Sequence, residues 1–231
     1  MNHNFFVDRL YPFQDQVLRI ITALDTGFYL TGGTAASRGY LNHRFSEDLD
    51  FFVNYDDRFE IWVDQIILSL TGYGEWQTEV LAKQESFARL LLKKSDVTLR
   101  VEFVKDVPFR VGEVVTHPVL GSLDTAENIL ANKVTAALDR EEPKDLADIW
   151  GFCTQMKLSV LEAISAAQGK AAGIFPVDFA RVLLSANESD WQLIRWLNPP
   201  EPTMFVRSLH EIGEEIIFSA MDKQDFQEGS L

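Results

Sequence analysis

The stretch from Tyr29 to Val53, YLTGGTAASRGYLNHRFSEDLDFFV, decides how the rest of the chain is interpreted. It starts as a short apolar strand, breaks at Gly32-Gly33 and ends in a second extended run that carries Asp48 and Asp50. Residues two apart in a strand point to the same face, roughly 6.6 Å apart, so the two carboxylates would lie together. Neighbouring carboxylates repel each other unless a cation lies between them, and Mg²⁺ prefers carboxylates combined with substrate phosphates. The acid pair therefore predicts a site for one or two Mg²⁺ ions.

The glycine turn precedes the acid pair by about fifteen residues. Gly32 and Gly33 let backbone N–H groups approach an anion closely, and Thr34 adds a hydroxyl at a predicted helix start. A phosphate cradle followed by a metal-binding acid pair predicts nucleotide chemistry, with an NTP as substrate. Arg44 and Ser46 lie between these two features and are candidates for binding the nucleotide phosphates. The alternative for both is an ordinary polar loop.

A third acidic residue follows from the extended run at 97–104. Its apolar residues alternate with Arg100 and Glu102, so Glu102 would lie on the same side of the sheet as the acid pair if the apolar face is core. A third carboxylate there would bind metal and take, or orient, the proton of the attacking hydroxyl. The alternative is a solvated strand residue paired with Arg100 or Lys105.

The second half of the chain has a helical pattern. Lys133 and Arg140 are seven residues apart, which places them on nearly the same helix face. A cation facing the acid cluster would offset charge developing in the transition state, whereas the alternative is a solvated helix face. The sequence Glu141-Glu142-Pro143 predicts a break before a new helix. Asp145 and Asp148 fall one turn apart near the start of that helix, where acidic residues are favourable.

Together these blocks resemble the AbiEii/AbiGii-type toxin family, minimal nucleotidyltransferases of the polymerase-β-like superfamily. The resemblance implies that Lys133 contacts the nucleotide phosphates and that Asp145 belongs to the site, with Asp148 as supporting structure. The family often has aspartate at the third carboxylate, so Glu102 is a departure. The matching motifs are Gly32-Gly33-Thr34, the run from His43 to Phe52, Leu130-Ala131-Asn132-Lys133 with Arg140, and Lys144-Asp145-Leu146-Ala147-Asp148.

The order of predicted elements gives an α+β fold. We expect a nucleotidyltransferase-like mixed or antiparallel sheet with flanking helices in residues 1–120, followed by a C-terminal helical bundle in residues 121–231. The predicted strands are 28–30, 76–82, 87–93, 97–104 and 112–116, and the predicted helices include 12–26, 57–70, 157–168, 176–186, 190–197 and 203–221.

Composition limits the range of partners. The formal net charge is −14, and most of the acidic excess lies in the second half. Tight binding of long DNA requires a basic footprint and is not expected, which leaves a small substrate or a single RNA end. One cysteine rules out an internal disulfide, and neither a signal peptide nor a run long enough to cross a bilayer is apparent. We therefore expect a cytoplasmic protein that does not enter the membrane.

The resemblance also implies an activity: transfer of NMP from an NTP to an acceptor hydroxyl on RNA, such as a tRNA end, or on a protein. It further implies a toxin neutralised by a separately encoded antitoxin. The residues also allow two alternatives. One is a small-molecule nucleotidyltransferase acting on an antibiotic, which the acidic second half would suit. The other is a non-catalytic relative that binds a nucleotide.

Overall fold

The computed structural model describes residues 3–140 and 142–228, with side chains given up to residue 222 in the last helix. The chain forms two compact units. Within the described residues, the first unit contains 3–40 and 45–125, and the second contains 41–44 and the residues from 126 onward. The chain therefore enters the second unit briefly at residues 41–44, returns to the first, and leaves it again after Thr125.

The first unit is built on a mixed sheet of seven strands in the order β3-β4-β5-β2-β1-β7-β6. β3, β4 and β5 form an antiparallel meander, whereas β2 pairs with β5 in parallel and β1 pairs with β7 in parallel. The strands are β1 (Tyr29–Thr31), β2 (Leu49–Asn54), β3 (Gln77–Lys83), β4 (Phe87–Lys94), β5 (Val97–Asp106), β6 (Val115–His117) and β7 (Gly121–Leu123).

Alternation of apolar and polar residues gives this sheet one buried and one half-exposed face. In β5, Leu99, Val101 and Phe103 are fully buried while Arg100 and Glu102 point to the other side. The strand thus follows the period of two that its sequence predicts. The helical segments of this unit are α1 (His3–Phe5), a π-helical turn (Phe6–Leu10), α2 (Tyr11–Thr22), α3 (Gly32–Thr34), most of the π-helical Ala35–Leu41, and α4 (Phe59–Gly72).

The second unit is helical. Phe152, Phe179 and Phe205 are fully buried and form part of its core, and the last helix packs along the helix at 176–184. Its helices are α5 (Ala126–Arg140), α6 (Pro143–Thr154), α7 (Val160–Lys170), α8 (Pro176–Leu184), α9 (Glu188–Leu193) and α10 (Pro202–Glu228). Within the described residues, no helix has the length and hydropathy needed to span a bilayer.

The predicted α+β class, with a mixed sheet and flanking helices, is confirmed. The short strand β7 was not predicted, because three residues carry too little alternation to be recognised. The predicted strand at 112–116 is observed as β6, which begins three residues later. One helix ends at Arg140 and the next begins at Pro143, while Glu141 itself lies outside the described residues.

Candidate active site

A row of polar residues crosses four adjacent strands of the sheet. Thr31 in β1 is the direct neighbour of Asp50 in β2, Asp50 pairs with Glu102 in β5, and Glu102 pairs with Arg89 in β4. Directly paired residues point to the same face, with about 4.8 Å between strands. Two of the predicted metal ligands, Asp50 and Glu102, are therefore lateral neighbours on the half-exposed face. Their proximity depends on the parallel pairing of β2 with β5.

The third predicted ligand, Asp48, lies just before β2 and is bound by an arginine. Arg100 Nη2 donates to Asp48 Oδ2, and Arg100 Nε lies 3.3 Å from Glu102 Oε1 without a hydrogen bond. Arg89 Nε donates to the same Glu102 oxygen at 2.8 Å. Burial alone would lower the pKa of Arg100, but the charges of Asp48 and Glu102 outweigh it and raise the pKa. Three carboxylates and two guanidinium groups thus share this part of the sheet.

The glycine turn lies directly against the acid pair. Gly32 has φ +66°, and a β-carbon built on it would lie 3.1 Å from Asp50 Cβ and still closer to Asp50 Oδ2. The left-handed backbone and the close approach both require glycine at this position. Gly33 and Thr34 follow in α3, and Thr34 Oγ1 lies 2.9 Å from Ser46 Oγ and contacts the carbonyl oxygen of Asp48. The predicted phosphate-binding residues and the acids therefore form one cluster.

Helix α2 holds the segment that leads into Asp48. Gln14 is completely buried and donates to the carbonyl oxygens of Ser46, at 3.3 Å, and Glu47, at 3.0 Å. The Ser46 backbone N–H donates to the Tyr11 hydroxyl at 3.3 Å. Sequence reasoning assigned no role beyond packing to this helix. The sequence does place Gln14 on the same helix face as the apolar Val17, Leu18 and Ile21, and a polar residue on an apolar face could have indicated this role.

Buried Asp124 extends the polar row on the side of β1. Its carboxylate accepts from the Thr31 hydroxyl at 2.7 Å and from Arg110 Nη2 at 3.2 Å. It follows β7, which runs parallel to β1, and its own N–H donates to the Leu30 carbonyl oxygen. Burial of the Tyr29 ring, together with the nearby Asp124 charge, raises the pKa of Tyr29.

The second unit contains a buried ionic cluster centred on Asp148. Arg44 binds its carboxylate with two hydrogen bonds of 2.7 Å, from Nε and from Nη2. Lys133 Nζ lies 2.6 Å and His43 Nε2 3.0 Å from it. Burial alone would raise the pKa of Asp148, but Arg44 and Lys133 hold it well below its usual range. In the described structure Arg44, a predicted phosphate ligand, is thus buried and directed at Asp148.

Lys133 joins Asp148 to the second acid of the cluster, Asp145. Its ammonium lies 2.7 Å from Asp145 Oδ1, and Arg140 Nε donates to Asp145 Oδ2 at 2.8 Å. Burial alone would lower the pKa of Lys133, but the two carboxylates raise it, so the lysine is charged. The predicted site residues therefore fall in two groups. The first unit holds Gly32, Gly33, Thr34, Ser46, Asp48, Asp50 and Glu102, and the second holds Arg44, Lys133 and Asp145.

The donor set in the first unit fits a divalent cation only in combination with substrate oxygens. Asp48 and Asp50 offer carboxylate oxygens on the half-exposed face, with Asp48 28% exposed. Within residues 3–140 and 142–228, no group of three or more His, Cys, Asp or Glu residues is arranged to hold a metal ion. Mg²⁺ is commonly bound by one or two carboxylates plus substrate phosphates, which matches a two-acid site beside a glycine turn.

The mixed sheet, the glycine turn and the acid row define a nucleotidyltransferase-like protein. The model of the family described as "Nucleotidyl transferase AbiEii toxin, Type IV TA system" matches residues 17–192. The chain belongs to this family of nucleotidyltransferase toxins, which confirms the resemblance drawn from its motifs. Comparison with curated proteins gave no match.

Solved structures with the same fold are distant in sequence. JHP933 from Helicobacter pylori is 21% identical, with a TM-score of 0.62 and 97% of each chain covered. A second H. pylori protein, described as a candidate nucleotidyltransferase, is 22% identical at a TM-score of 0.62, covering 91% of this chain and 95% of that one. MenT4, a nucleotidyltransferase toxin from Mycobacterium tuberculosis H37Rv, is 15% identical at a TM-score of 0.59, covering 90% and 82%. At these identities the likeness shows the fold.

Proposed function

We propose that the protein transfers NMP from an NTP to an acceptor hydroxyl on RNA, such as a tRNA end, or on a protein, in a reaction that depends on Mg²⁺. It acts as the toxin of a toxin–antitoxin pair, and a separately encoded antitoxin neutralises it. The observation that carries the proposal is the contact between Gly32 and the Asp50 carboxylate. That contact puts a backbone suited to phosphates beside a carboxylate suited to a divalent cation.

In this proposal the glycine turn holds the triphosphate. The backbone N–H groups of Gly32, Gly33 and Thr34 donate to phosphate oxygens, and the Ser46 hydroxyl adds a further donor. Gln14 and Tyr11 support this arrangement, because their hydrogen bonds fix the backbone of residues 46 and 47.

The acids would hold a divalent cation at the reacting centre. Asp48 and Asp50 supply carboxylate oxygens, with Glu102 as the third acid. When bound, a divalent cation would polarise the phosphoryl oxygens and stabilise the charge that develops on them. Glu102 accepts or orients the proton of the attacking hydroxyl. The hydroxyl then attacks the α-phosphorus in line, and pyrophosphate leaves.

The residues of the second unit complete the assignment. We assign Asp145 to holding the Lys133 ammonium, which the 2.7 Å ion pair supports. We assign Lys133 to the nucleotide phosphates, which its buried ammonium can contact only after it leaves Asp145 and Asp148. Arg44, the remaining predicted phosphate ligand, lies two residues before Ser46, and its guanidinium is bound by Asp148. We assign it to fixing the chain at that point, since its guanidinium can contact a phosphate only after it leaves Asp148.

The direct test is label transfer. Purified protein is incubated with α-labelled NTPs, Mg²⁺ and bulk tRNA, in parallel with the Asp48→Ala variant. We expect label on RNA or on protein with at least one NTP, and its loss in the variant. Absence of transfer with every NTP, or equal transfer by the variant, would overturn the proposal.

A further inference from the structure

Arg89 and Arg100 have hydrogen-bonding capacity that the described residues do not use. A guanidinium group carries five N–H donors. Among the described contacts, each of these two arginines donates one hydrogen bond, Arg89 to Glu102 and Arg100 to Asp48. Arg100 Nε is buried and has no hydrogen-bond partner among the described residues. Both side chains are about two-fifths exposed, so their exposed donors can reach a ligand.

The two arginines can reach a single anion. Arg100 in β5 pairs with Leu91 in β4, and Arg89 lies two residues before Leu91. Such diagonal neighbours on one face of a sheet are about 7–8 Å apart, within the span of two arginine side chains around one phosphate. Arginine forks bind phosphate oxygens in a bidentate manner, more specifically than a lysine does.

Their place in the sheet separates them from the glycine turn. The strand order β4-β5-β2-β1 puts Arg89 on one side of Asp50 and Glu102, and the turn that follows β1 on the other. Arg89 in β4 is three strand spacings from β1, about 14 Å, and Arg100 in β5 is two spacings from it, about 10 Å. A phosphate held by the two arginines is therefore distinct from one held at Gly32.

In-line transfer indicates which substrate carries that phosphate. The attacking oxygen and the leaving oxygen lie on opposite sides of the α-phosphorus. With the triphosphate at the glycine turn and the α-phosphorus at the acids, the acceptor hydroxyl approaches from the side of Glu102 and the arginines. This step rests on the proposed function above.

We propose that Arg89 and Arg100 bind a backbone phosphate of the acceptor and align its hydroxyl for attack. The acceptor is then a molecule with a phosphodiester next to the reacting hydroxyl, which is the chemistry of an RNA 3′ end. A protein hydroxyl or a cationic drug has no group for this arginine pair. The acidic net charge of the chain fits such a local contact with one strand end.

The test uses the full chain with Arg89→Ala, Arg100→Ala and Arg100→Lys. Arg58→Ala is the matched control, since Arg58 is an exposed arginine paired with Asp56 beyond the far end of β2. Affinity is measured by fluorescence anisotropy with a short single-stranded RNA bearing a 3′-hydroxyl, across a series of salt concentrations. A second RNA carries a neutral methylphosphonate at its last linkage.

Each alanine variant is expected to bind the natural RNA about tenfold or more weakly, because a charge-assisted contact is lost. The slope of log affinity against log salt is expected to shrink by about 0.7 per arginine removed. Arg100→Lys should keep the slope but lose part of the affinity, and Arg58→Ala should match the wild type. The methylphosphonate RNA should bind the wild type weakly, and the Arg100→Ala substitution should reduce its affinity little further.

Two results would overturn this inference. One is RNA affinity and salt slope in the alanine variants equal to those of Arg58→Ala, even if their melting temperatures fall, because the arginines would then be structural ion pairs only. The other is a raised KM for NTP with an unchanged KM for RNA in the transfer assay. Failure of the wild type to transfer label to any acceptor would instead count against the proposed function, independently of the RNA-binding result.

Discussion

Gly32 and Asp50 are in direct contact: a β-carbon on Gly32 would lie 3.1 Å from Asp50 Cβ and closer still to a carboxylate oxygen. Gly32 also has φ +66°, a backbone conformation that L side chains rarely adopt. The turn predicted to bind phosphate and the acid predicted to bind metal are thus one packed unit.

Gly32→Ala should abolish nucleotidyl transfer, because the added methyl group must displace the Asp50 carboxylate or the turn. The measurement is label transfer from NTP, with NTP binding followed by calorimetry. Gly74→Ala is the matched control, since Gly74 has φ +76° but nothing within 4 Å of a built β-carbon. It should lose about 1 kcal/mol of stability and keep its activity. Equal activity of the two variants would show that the contact does not matter for transfer.

Asp48→Asn should reduce transfer by at least about a hundredfold, because a neutral amide binds a divalent cation poorly. Its effect on the free energy of unfolding should stay below about 1 kcal/mol, since the Arg100 pair is part-exposed. Asp64→Asn, which removes the carboxylate of an exposed pair with Lys83, serves as the control in the same assays. A loss of activity explained by unfolding alone would contradict the assignment.

Asp148→Asn should be strongly destabilising. Asp148 is fully buried, and its negative charge neutralises Arg44 and Lys133. The neutral asparagine would leave these two buried cations without that charge. Removing one partner from a buried pair typically costs about 3–5 kcal/mol. Urea unfolding followed by tryptophan fluorescence measures the cost. Asp178→Asn, in an exposed pair with Arg181, should cost under about 1 kcal/mol; a similar small cost for Asp148→Asn would refute the prediction.

The local patterns could be predicted from the sequence, whereas the long-range partners could not. The alternation of apolar and polar residues in β5 predicts its buried face, because burial follows the period of a strand. Asp50 and Glu102 are neighbours because β2 pairs with β5 in parallel. The sequence of neither strand indicates this pairing. Asp148 was predicted to be supporting structure, but nothing in the sequence indicated that its carboxylate contacts Arg44, Lys133 and His43.

Arginine partners were likewise difficult to predict. The sequence offered Arg100 or Lys105 as a partner for Glu102, and the structure adds Arg89 from the neighbouring strand. Arg89 comes opposite Glu102 only through the register of the β4–β5 hairpin. That register depends on the turn between the strands, and a shift of one residue would move Arg89 to the buried face.

Stability should depend on His43 as the solution becomes acidic. Burial lowers the pKa of His43 from its ordinary value of 6.5, against the opposing effect of Asp148; Arg44 and Lys133 lower it further. Below about pH 6.5 the unfolded chain therefore binds a proton that the folded chain does not. The free energy of unfolding should fall with decreasing pH, by at most about 1.4 kcal/mol per pH unit from this group.

His43→Gln removes this contribution. Between pH 7 and 5, the variant's free energy of unfolding should decline less steeply than that of the wild type, as measured by urea unfolding at each pH. The carboxylates that do not contact His43 titrate alike in both proteins and cancel in the comparison, and Asp148 stays ionised in the variant because Arg44 and Lys133 still hold its pKa well below its usual range. Identical slopes would mean that His43 titrates normally in the folded protein.

The central claim is that Asp48 and Asp50 hold a divalent cation beside a triphosphate at the glycine turn. The most direct measurement is a crystal structure with a non-hydrolysable NTP analogue and Mn²⁺, in which anomalous scattering locates the ion. We predict an anomalous peak bonded to both carboxylates, phosphates against Gly32–Thr34, and Arg100 moved away from Asp48. A nucleotide bound elsewhere, or no ion at the two carboxylates with Arg100 still bound to Asp48, would contradict it.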